Sequence, residues 1–433
     1  MDEIVLNQQQ LEAKNLIENW YNKKENDKQT FVLAGYAGTG KTFLINYIIN
    51  NILKLSDYQV AFIAPTGKAA SVLLQRGASN ASTIHQLIYT RVEKEYKTEV
   101  ENEVVVSKKF EFIKKPSIPD YKLLVLDETS MVDKKTMIDI LSYGIRVICL
   151  GDPGQLPPPV GISNGLLDKP DYTLTEIVRQ ESDNAIVKLA TMARNNIPIR
   201  SGNYGNVMVM DSRYMTESQI LKIMESADQV LCGTNATRRM YNEKIKKHLG
   251  LDPNKLNENE KVICLLNNWE IELDGNDGLT FPLVNGMIGT AIRTGLVDSN
   301  NISTLKFKAD FLDTYSENLI YDNKIFSDGE FQFEFHDKVC EMFDGSYEPK
   351  VNIQTLKMNR ENIMKYVSQK KNSIATKQIN FFEPGYCISV HKSQGAEWDN
   401  VVVIDQSRIF SNDASKWLYT AITRAKKKLI IIR

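Results

Sequence analysis

The tract Gly35-Tyr36-Ala37-Gly38-Thr39-Gly40-Lys41-Thr42 constrains this chain more than any other stretch. It fits the spacing G-x-x-x-x-G-K-S/T. It lies between a short apolar run, Thr30 to Ala34, and a helical pattern from Lys41 to about Lys54. Glycines at Gly35, Gly38 and Gly40 let backbone N–H groups turn inward around phosphate oxygens, Thr39 adds another amide, and the helix that follows adds its positive dipole end. Lys41 has the reach for the β- and γ-phosphates of ATP, and the Thr42 hydroxyl suits Mg²⁺.

Further apolar runs follow at Val60 to Ala64, Leu123 to Leu126 and Arg146 to Leu150, and each stops at a polar turn. Continuous apolar strands alternating with helices imply a parallel sheet covered on both faces, hence an α/β fold. Ligands of such sheets bind beyond the carboxyl ends of the strands, where these polar turns converge. One turn carries Asp127-Glu128. Taken alone, an acidic pair at a strand end reads as a solvated turn. Downstream of a phosphate loop and in the same sheet, Asp127 suits a Mg²⁺ partner and Glu128 the activation of an attacking water. Another turn, Gly151-Asp152-Pro153-Gly154-Gln155-Leu156-Pro157-Pro158-Pro159, is either a rigid proline turn or a loop that sets Gln155 on the terminal phosphate. Spacing leaves both open.

Residues 88–119 interrupt the pattern. They are charged, and the alternation at Val104 to Phe112 suits a small inserted β-hairpin. A second α/β pattern begins near residue 172, resumes at Tyr386 to Val390, and ends in Leu429 to Ile432. Between its halves, about 267–380 is irregular, with turn signals at Asn285-Gly286 and Asp344-Gly345, and reads as a mostly β insertion.

Charge decides what kind of polyanion site is possible. There are 53 basic and 54 acidic residues, for a net charge of −1, so any nucleic-acid site is a local groove and not a global attraction. The 5 cysteines are scattered with no CxxC pair, which indicates neither a zinc site nor a disulfide framework. Met1-Asp2-Glu3-Ile4 lacks the basic start and apolar block of a signal peptide, and the apolar runs are short of a membrane span. A cytoplasmic protein without membrane attachment is expected.

The order of the blocks resembles superfamily 1 helicases, and the RecD and Dda group most closely. Leu6-Asn7-Gln8-Gln9-Gln10 resembles the Q motif, Ala64-Pro65-Thr66-Gly67-Lys68 motif Ia, and Ser82-Thr83-Ile84-His85 motif Ib. Asp127-Glu128-Thr129-Ser130 is similar to motif II, and Gly151 to Pro158 to motif III. Leu174 to Gln180, with Arg179, resembles motif IV. Val390-His391-Lys392-Ser393-Gln394-Gly395-Ala396-Glu397 resembles motif V, and Tyr419-Thr420-Ala421-Ile422-Thr423-Arg424-Ala425 motif VI. The blocks together span residues 6–425.

The resemblance implies two RecA-like P-loop NTPase domains, 1–87 with 120–170 and 171–266 with 381–433. It implies a hairpin (pin) insertion at 88–119 and an SH3-like β insertion at 267–380. ATP lies in the cleft, with Gln10 reading adenine and Glu397 near the sugar. Arg179 and Arg424 reach the γ-phosphate, a contribution of roughly 10³–10⁵ in rate in other P-loop enzymes. On the residues alone, Arg179 is a surface arginine beside Glu176, and Arg424 heads the basic run Lys426 to Lys428. The resemblance lays single-stranded DNA along Pro65, Thr66, Thr83 and His85, then along Thr234, Asn235, His391, Lys392 and Ser393. Phe110 and Phe112 of the hairpin either pack locally or part strands at a single-strand/duplex junction. Trp269 and Lys350, Lys357, Lys365, Lys370 and Lys371 either contact DNA or form a solvated face.

The expected activity is an ATP- and Mg²⁺-dependent DNA helicase moving 5′→3′, the polarity resting on the resemblance of Asp-Glu-Thr-Ser and Gln-Leu-Pro-Pro to that branch. A chain that ends a few residues past motif VI reads as a minimal motor. A monomer is expected, with replication or repair proteins as further partners. The alternative is a single-strand translocase that displaces proteins and unwinds weakly. An ATP-gated binding module would not need Glu128, Gln155, Arg179 and Arg424 together. A small-molecule kinase would leave the blocks at 390–397 and 419–425 unexplained.

Overall fold

The computed structural model describes residues 6–23, 28–78, 80–100, 103–158, 161–177, 184–265, 268–275, 280–296, 302–316, 318–322 and 379–433. The chain divides into two compact units: Met1–Tyr89, Lys114–Tyr241 and Cys387–Arg433 in one, Thr90–Ile113 and Asn242–Tyr386 in the other.

The first unit opens with helix α1 (Gln8–Asn22), whose first turn is closed by a reciprocal capping box between Asn7 and Gln10. Strand β1 (Thr30–Gly35) then runs into α2 (Lys41–Tyr47), which continues as a π-helical turn over Ile48–Leu53. Next come β2 (Val60–Ala64), α3 (Gly67–Gln75), β3 (Ala81–Thr83) and α4 (Ile84–Ile88). Strands β4 (Tyr89–Val100) and β5 (Glu103–Lys114) pair as a separate two-stranded ribbon. The chain resumes with β6 (Leu123–Leu126), α5 (Lys134–Leu141), β7 (Arg146–Gly151) and β8 (Tyr172–Leu174). At the base of the ribbon the Lys115 N–H donates to the Ile88 carbonyl at 2.8 Å, and the Tyr143 hydroxyl donates to the carbonyls of Ile88 and Lys115 at 3.1 and 2.7 Å.

Six strands form the first sheet in the order β3-β2-β6-β7-β1-β8, all parallel. Successive side chains of a strand point to opposite faces, so a sheet with two covered faces needs apolar residues at every position. Phe31, Leu33, Leu123, Val125, Ile148 and Leu150 face one core with Ile17 and Trp20 of α1, Leu44 and Ile45 of α2, and Leu73 of α3. Val32, Leu124, Leu126, Val147 and Cys149 face the other, with Ile84 and Leu87 of α4 and Met137 and Ile140 of α5.

The second sheet takes α6 (Ala185–Arg194), β9 (Gly202–Asn203), β10 (Val207–Met210), α7 (Glu217–Glu225), β11 (Gln229–Cys232) and α8 (Asn235–His248) from one stretch of chain. The other unit, which already holds Thr90–Ile113 of the β4–β5 ribbon, resumes within α8 and contributes β12 (Glu260–Cys264), β13 (Asn268–Asp274), β14 (Thr280–Leu283), β15 (Ile288–Leu296), β16 (Ile302–Ala309), β17 (Asn318–Asp322), β18 (Ile379–Asn380) and β19 (Phe382–Pro384). The chain then returns through β20 (Cys387–Ser389), β21 (Trp398–Ile404), α9 (Ala414–Ile422) and β22 (Ala425–Ile432). The sheet order is β20-β11-β21-β22-β10-β9, parallel except for the short edge strand β9.

In the other unit, β18-β17-β16-β15-β12-β19 form a sheet that is antiparallel except where β17 meets β18, and β13 pairs with β14. The rings of Phe307 and Phe382 meet at a tilt, 5.2 Å apart, in its interior. This sheet starts at Glu260 and closes at Pro384, so it is wider than the irregular tract 267–380. The side chain of Trp269, and Lys350, Lys357, Lys365, Lys370 and Lys371, lie outside the described residues. Among the described residues no helix is long and apolar enough to cross a membrane.

One charged pair sits fully inside this unit. Lys246 Nζ lies 3.0 Å from Glu260 Oε1, with side chains 1% and 0% exposed. Glu260 Oε2 also accepts from the Asn257 amide and side chain at 2.8 and 2.9 Å. Burial pulls the Lys246 pKa down, and the Glu260 carboxylate opposes it. Lys246→Ala would strand a buried carboxylate, an expected loss of about 3–5 kcal/mol. Urea denaturation of the two proteins checks this, and an unchanged midpoint would mean that the pair contributes nothing.

Candidate nucleotide-binding cleft

The phosphate loop leaves β1 at Gly35 and turns through Gly38 (φ 80°) and Gly40 (φ 79°), left-handed positions that a side chain would strain. The Thr39 hydroxyl donates to the Tyr36 carbonyl at 2.8 Å, which rounds the loop. A Cβ on Gly35 would fall 2.7 Å from that same hydroxyl, so this position also needs glycine. Lys41 Nζ lies over the loop and donates to the carbonyls of Gly35 (2.6 Å) and Tyr36 (3.1 Å). Gln10, 2% exposed, is held by the α1 capping box with its Nε2 toward the Thr39 carbonyl at 3.5 Å.

The acidic pair stands at the end of β6. The Asp127 N–H extends the ladder to the Ile63 carbonyl at 2.9 Å, and its Oδ1 accepts from the Glu128 N–H at 2.8 Å. Glu128 has φ 52° and ψ 43°, a left-handed conformation for a residue with a side chain. A carboxylate held in such a region marks a position fixed by its surroundings. Burial raises the Asp127 pKa, against the Glu128 N–H, Lys41 and the nearby Thr42 hydroxyl. Burial and the Asp127 charge push Glu128 up to about 7, while Arg424 and Lys41 oppose the rise. Thr42 and Asp127, close enough that the hydroxyl favours the charged carboxylate, present the oxygen donors a hard divalent cation takes.

The second sheet supplies the rest. Arg424, 4% exposed, donates to the carbonyls of Thr420 (2.9 Å) and Ala396 (3.2 Å) and to the Thr423 hydroxyl (3.1 Å). Its charge still reaches Glu128. Gln155 is 7% exposed and its Oε1 has no partner among the described residues; Gln394, 2% exposed, has a second such oxygen. Buried acceptors without a donor cost free energy, and a cleft that receives a hydrogen-bonding ligand or water explains them. Gln394 Nε2 donates to the Leu156 carbonyl at 3.4 Å, which ties motif V to motif III. Glu397 is half-buried after Ala396. Arg179 lies outside the described residues.

Two cleft residues carried no distinct signal in the sequence. Arg194 ends α6 and lays its guanidinium 3.4 Å from the ring centre of Tyr36 in the phosphate loop. Tyr419, quoted above only as part of a block, accepts from the Ala37 N–H and donates to Asp152. Both sit at helical positions indistinguishable in pattern from ordinary packing residues.

The expected strand contacts are placed as follows. Pro65 and Thr66 follow β2, and the Thr66 hydroxyl caps α3 through the Ala69 N–H at 3.2 Å. Thr83, 4% exposed, caps α4 in a capping box with Gln86, and His85 is exposed with its ring 5.1 Å from Tyr89. Thr234 caps α8 through the Thr237 N–H at 3.1 Å, next to the exposed Asn235. His391 lies 5.7 Å from Phe410, which stacks on Trp417. Lys392 is half-buried on the same turn. Ser393 departs from the expectation. It is 0% exposed and its hydroxyl donates to the Val390 carbonyl at 2.7 Å, so it shapes the turn that presents His391 and has no side-chain surface to offer a strand. Phe112 is 51% exposed; the side chain of Phe110 lies outside the described residues.

A phosphate loop and a terminal acidic pair on one parallel sheet, faced by a buried arginine from a second, define a P-loop nucleoside triphosphatase of tandem-sheet type. Residues 6–204 match the AAA domain family and residues 384–432 the UvrD-like helicase C-terminal domain. An uncharacterised protein of Methanocaldococcus jannaschii is 26% identical over 93% of this chain and 36% of its own length. The RecBCD enzyme subunit RecD of Buchnera aphidicola from Schizaphis graminum is 23% identical over 96% of this chain and 74% of its own. The chain therefore spans about a third of the first relative and three-quarters of the second. The crystal structure of Pif1 helicase from Candida albicans superposes with a TM-score of 0.50 at 16% identity, covering 100% of this chain and 95% of that one, and shows the same fold with two RecA-like domains. In sequence the chain is similar to superfamily 1 helicases of the RecD and Dda kind, and it shares the fold of Pif1.

The loop geometry gives a direct test. Gly40→Ala forces a side chain into the left-handed region at a cost of roughly 1–2 kcal/mol. Affinity for a fluorescent ATP analogue should fall about tenfold, the equivalent of 1.4 kcal/mol. Undiminished binding would show that the loop tolerates the change.

Proposed function

We propose that this chain is an ATP-dependent DNA helicase that moves 5′→3′ along single-stranded DNA and separates the duplex ahead of it. One observation carries the reading: on α9 of the second sheet the Tyr419 hydroxyl accepts from the Ala37 N–H of the phosphate loop and donates to Asp152 after β7, and Thr420 accepts from the Leu156 N–H, so both sheets share one cleft. A purely phosphate-binding module has no use for a buried arginine brought from a second sheet to a general base.

In this reading Gln10 reads the adenine, Glu397 lies by the sugar, and Gly35, Gly38, Thr39 and Gly40 cradle the phosphates with Lys41. Thr42 and Asp127 hold Mg²⁺, which neutralises phosphate charge when bound. Glu128 takes a proton from the attacking water, Gln155 orients that water, and Arg424 with Arg179 balances charge at the γ-phosphate. Pro65, Thr66 and His85 on the first sheet, and Thr234, Asn235, His391 and Lys392 on the second, line the strand, held by backbone contacts and stacking. Ribbon β4–β5, with Phe112 exposed, serves as the pin that parts the strands, and the sheet of residues 260–384 takes the place of the SH3-like domain. The 5′→3′ direction is the family's. A chain that works as one copy in the cytoplasm, alongside replication or repair proteins, completes the reading.

The test is ATP-dependent separation of two duplexes, one with a 5′ single-stranded tail and one with a 3′ tail. Separation of the 5′-tailed duplex alone is expected. Separation of the 3′-tailed duplex alone would keep the motor and overturn its direction, and failure on both would favour a translocase that strips proteins from single strands. Glu128→Gln should bind ATP normally and hydrolyse it about 10²–10⁴-fold more slowly, as removal of a general base does. Turnover at the wild-type rate would assign the water to another group. Lys41→Ala should lose ATP hydrolysis while still binding single-stranded DNA in a filter assay.

A further inference from the structure

Gln155 belongs to a loop of the first sheet, yet that loop is held by the second. The Tyr419 hydroxyl on α9 accepts from the Ala37 N–H of the phosphate loop at 3.1 Å and donates to Asp152 Oδ2 at 2.6 Å. Asp152 Oδ1 accepts from the Gly154 N–H at 2.9 Å, and its carbonyl accepts from the Gln155 N–H at 3.1 Å. The Tyr419 ring lies so close to Gly154 that a Cβ there would fall 2.9 Å from Cε1. The next residue, Thr420, accepts from the Leu156 N–H at 3.1 Å. Both Tyr419 and Asp152 are 2% exposed, so water does not compete for these bonds. Burial and the Asp152 carboxylate raise the Tyr419 pKa and keep the phenol protonated. Arg194 clamps the neighbouring Tyr36 from the same side.

A phenol can accept from an amide and donate to a carboxylate through one oxygen, while its ring fills the space beside a glycine. Phenylalanine would do only the last. We propose that Tyr419 is a positioning residue that joins the phosphate loop to the Gln155 loop across the cleft, so that both move with the second sheet during the hydrolytic cycle. The inference rests on the proposed function and adds to it a link between hydrolysis on the first sheet and motion of the second. Tyr419 acts through Gln155 and through the Ala37 backbone.

The experiment uses the full chain and steady-state ATP hydrolysis with saturating single-stranded DNA. Tyr419→Phe should lower kcat about tenfold, equivalent to about 1.4 kcal/mol, with KM for ATP within about twofold of wild type. Asp152→Asn should give a similar fall. The double variant should be no slower than either single one, because both remove the same connection. Base pairs separated per ATP consumed should also fall in Tyr419→Phe, which a loss of general stability would not produce. If Tyr419→Phe fails to fold because it strands the buried Asp152 charge, the double variant removes that charge and, by its kcat relative to Asp152→Asn, carries the same test. Wild-type kcat in Tyr419→Phe, additive losses in the double variant, or a change confined to KM would each overturn the proposal. A wild-type chain without ATP hydrolysis would sink the proposed function and this inference together, whereas wild-type hydrolysis indifferent to Tyr419→Phe sinks this inference alone.

Discussion

A parallel strand that is apolar at every position has no face to give to water, and the rest of this structure follows from covering both. Leu123 and Val125 look into one core and Leu124 and Leu126 into the other, so helices must lie on either side of the sheet. The crossovers that put them there run all strands the same way. All polar strand ends then fall on one edge. The phosphate loop after β1, Asp127 after β6 and Asp152 after β7 are neighbours because β6, β7 and β1 are adjacent in the sheet. The polar edge is thus a by-product of burial, sharpened by a few residues that accept unusual backbone geometry, Glu128 among them.

The second sheet repeats the scheme without a phosphate loop. What it contributes to the cleft comes from α6, α9, the turn before β21 and the turn between α9 and β22, as Arg194, Tyr419, Thr420, Gln394 and Arg424. Gly395 (φ 75°) on that turn lies so close to Ala69 of α3 that a Cβ would come within 3.2 Å. Lys68, on the same helix, sits 4.6 Å from the ring centre of Trp398. The two sheets therefore meet through small residues and shared hydrogen bonds, an arrangement suited to parts that change their spacing.

Local chemistry was legible in the sequence; partnership across the fold was not. The strands Thr30 to Ala34, Leu123 to Leu126 and Arg146 to Leu150 were readable because double burial leaves an unbroken apolar run. The phosphate loop was readable because its glycines and lysine are required at fixed spacing. Ser393 looked like a strand contact because it neighbours His391, and only the fold shows its hydroxyl spent on Val390. Tyr419 and Asp152 are 267 residues apart, and nothing local to either announces the other. The same holds for the ribbon β4–β5, which interrupts the first sheet in sequence yet belongs to one compact unit with residues 242–386.

The ion pair of Lys246 and Glu260 bears on how this sequence can drift. Removing either partner leaves a charge in a dry interior, while replacing both with apolar residues of matching volume is commonly neutral or better. Any lineage leaving the charged state must cross a costly single-substitution intermediate. Asn257, whose amide and side chain both donate to the same carboxylate, would lose that acceptor when Glu260 goes. The three positions thus form one heritable unit, and relatives should carry them all or replace them all.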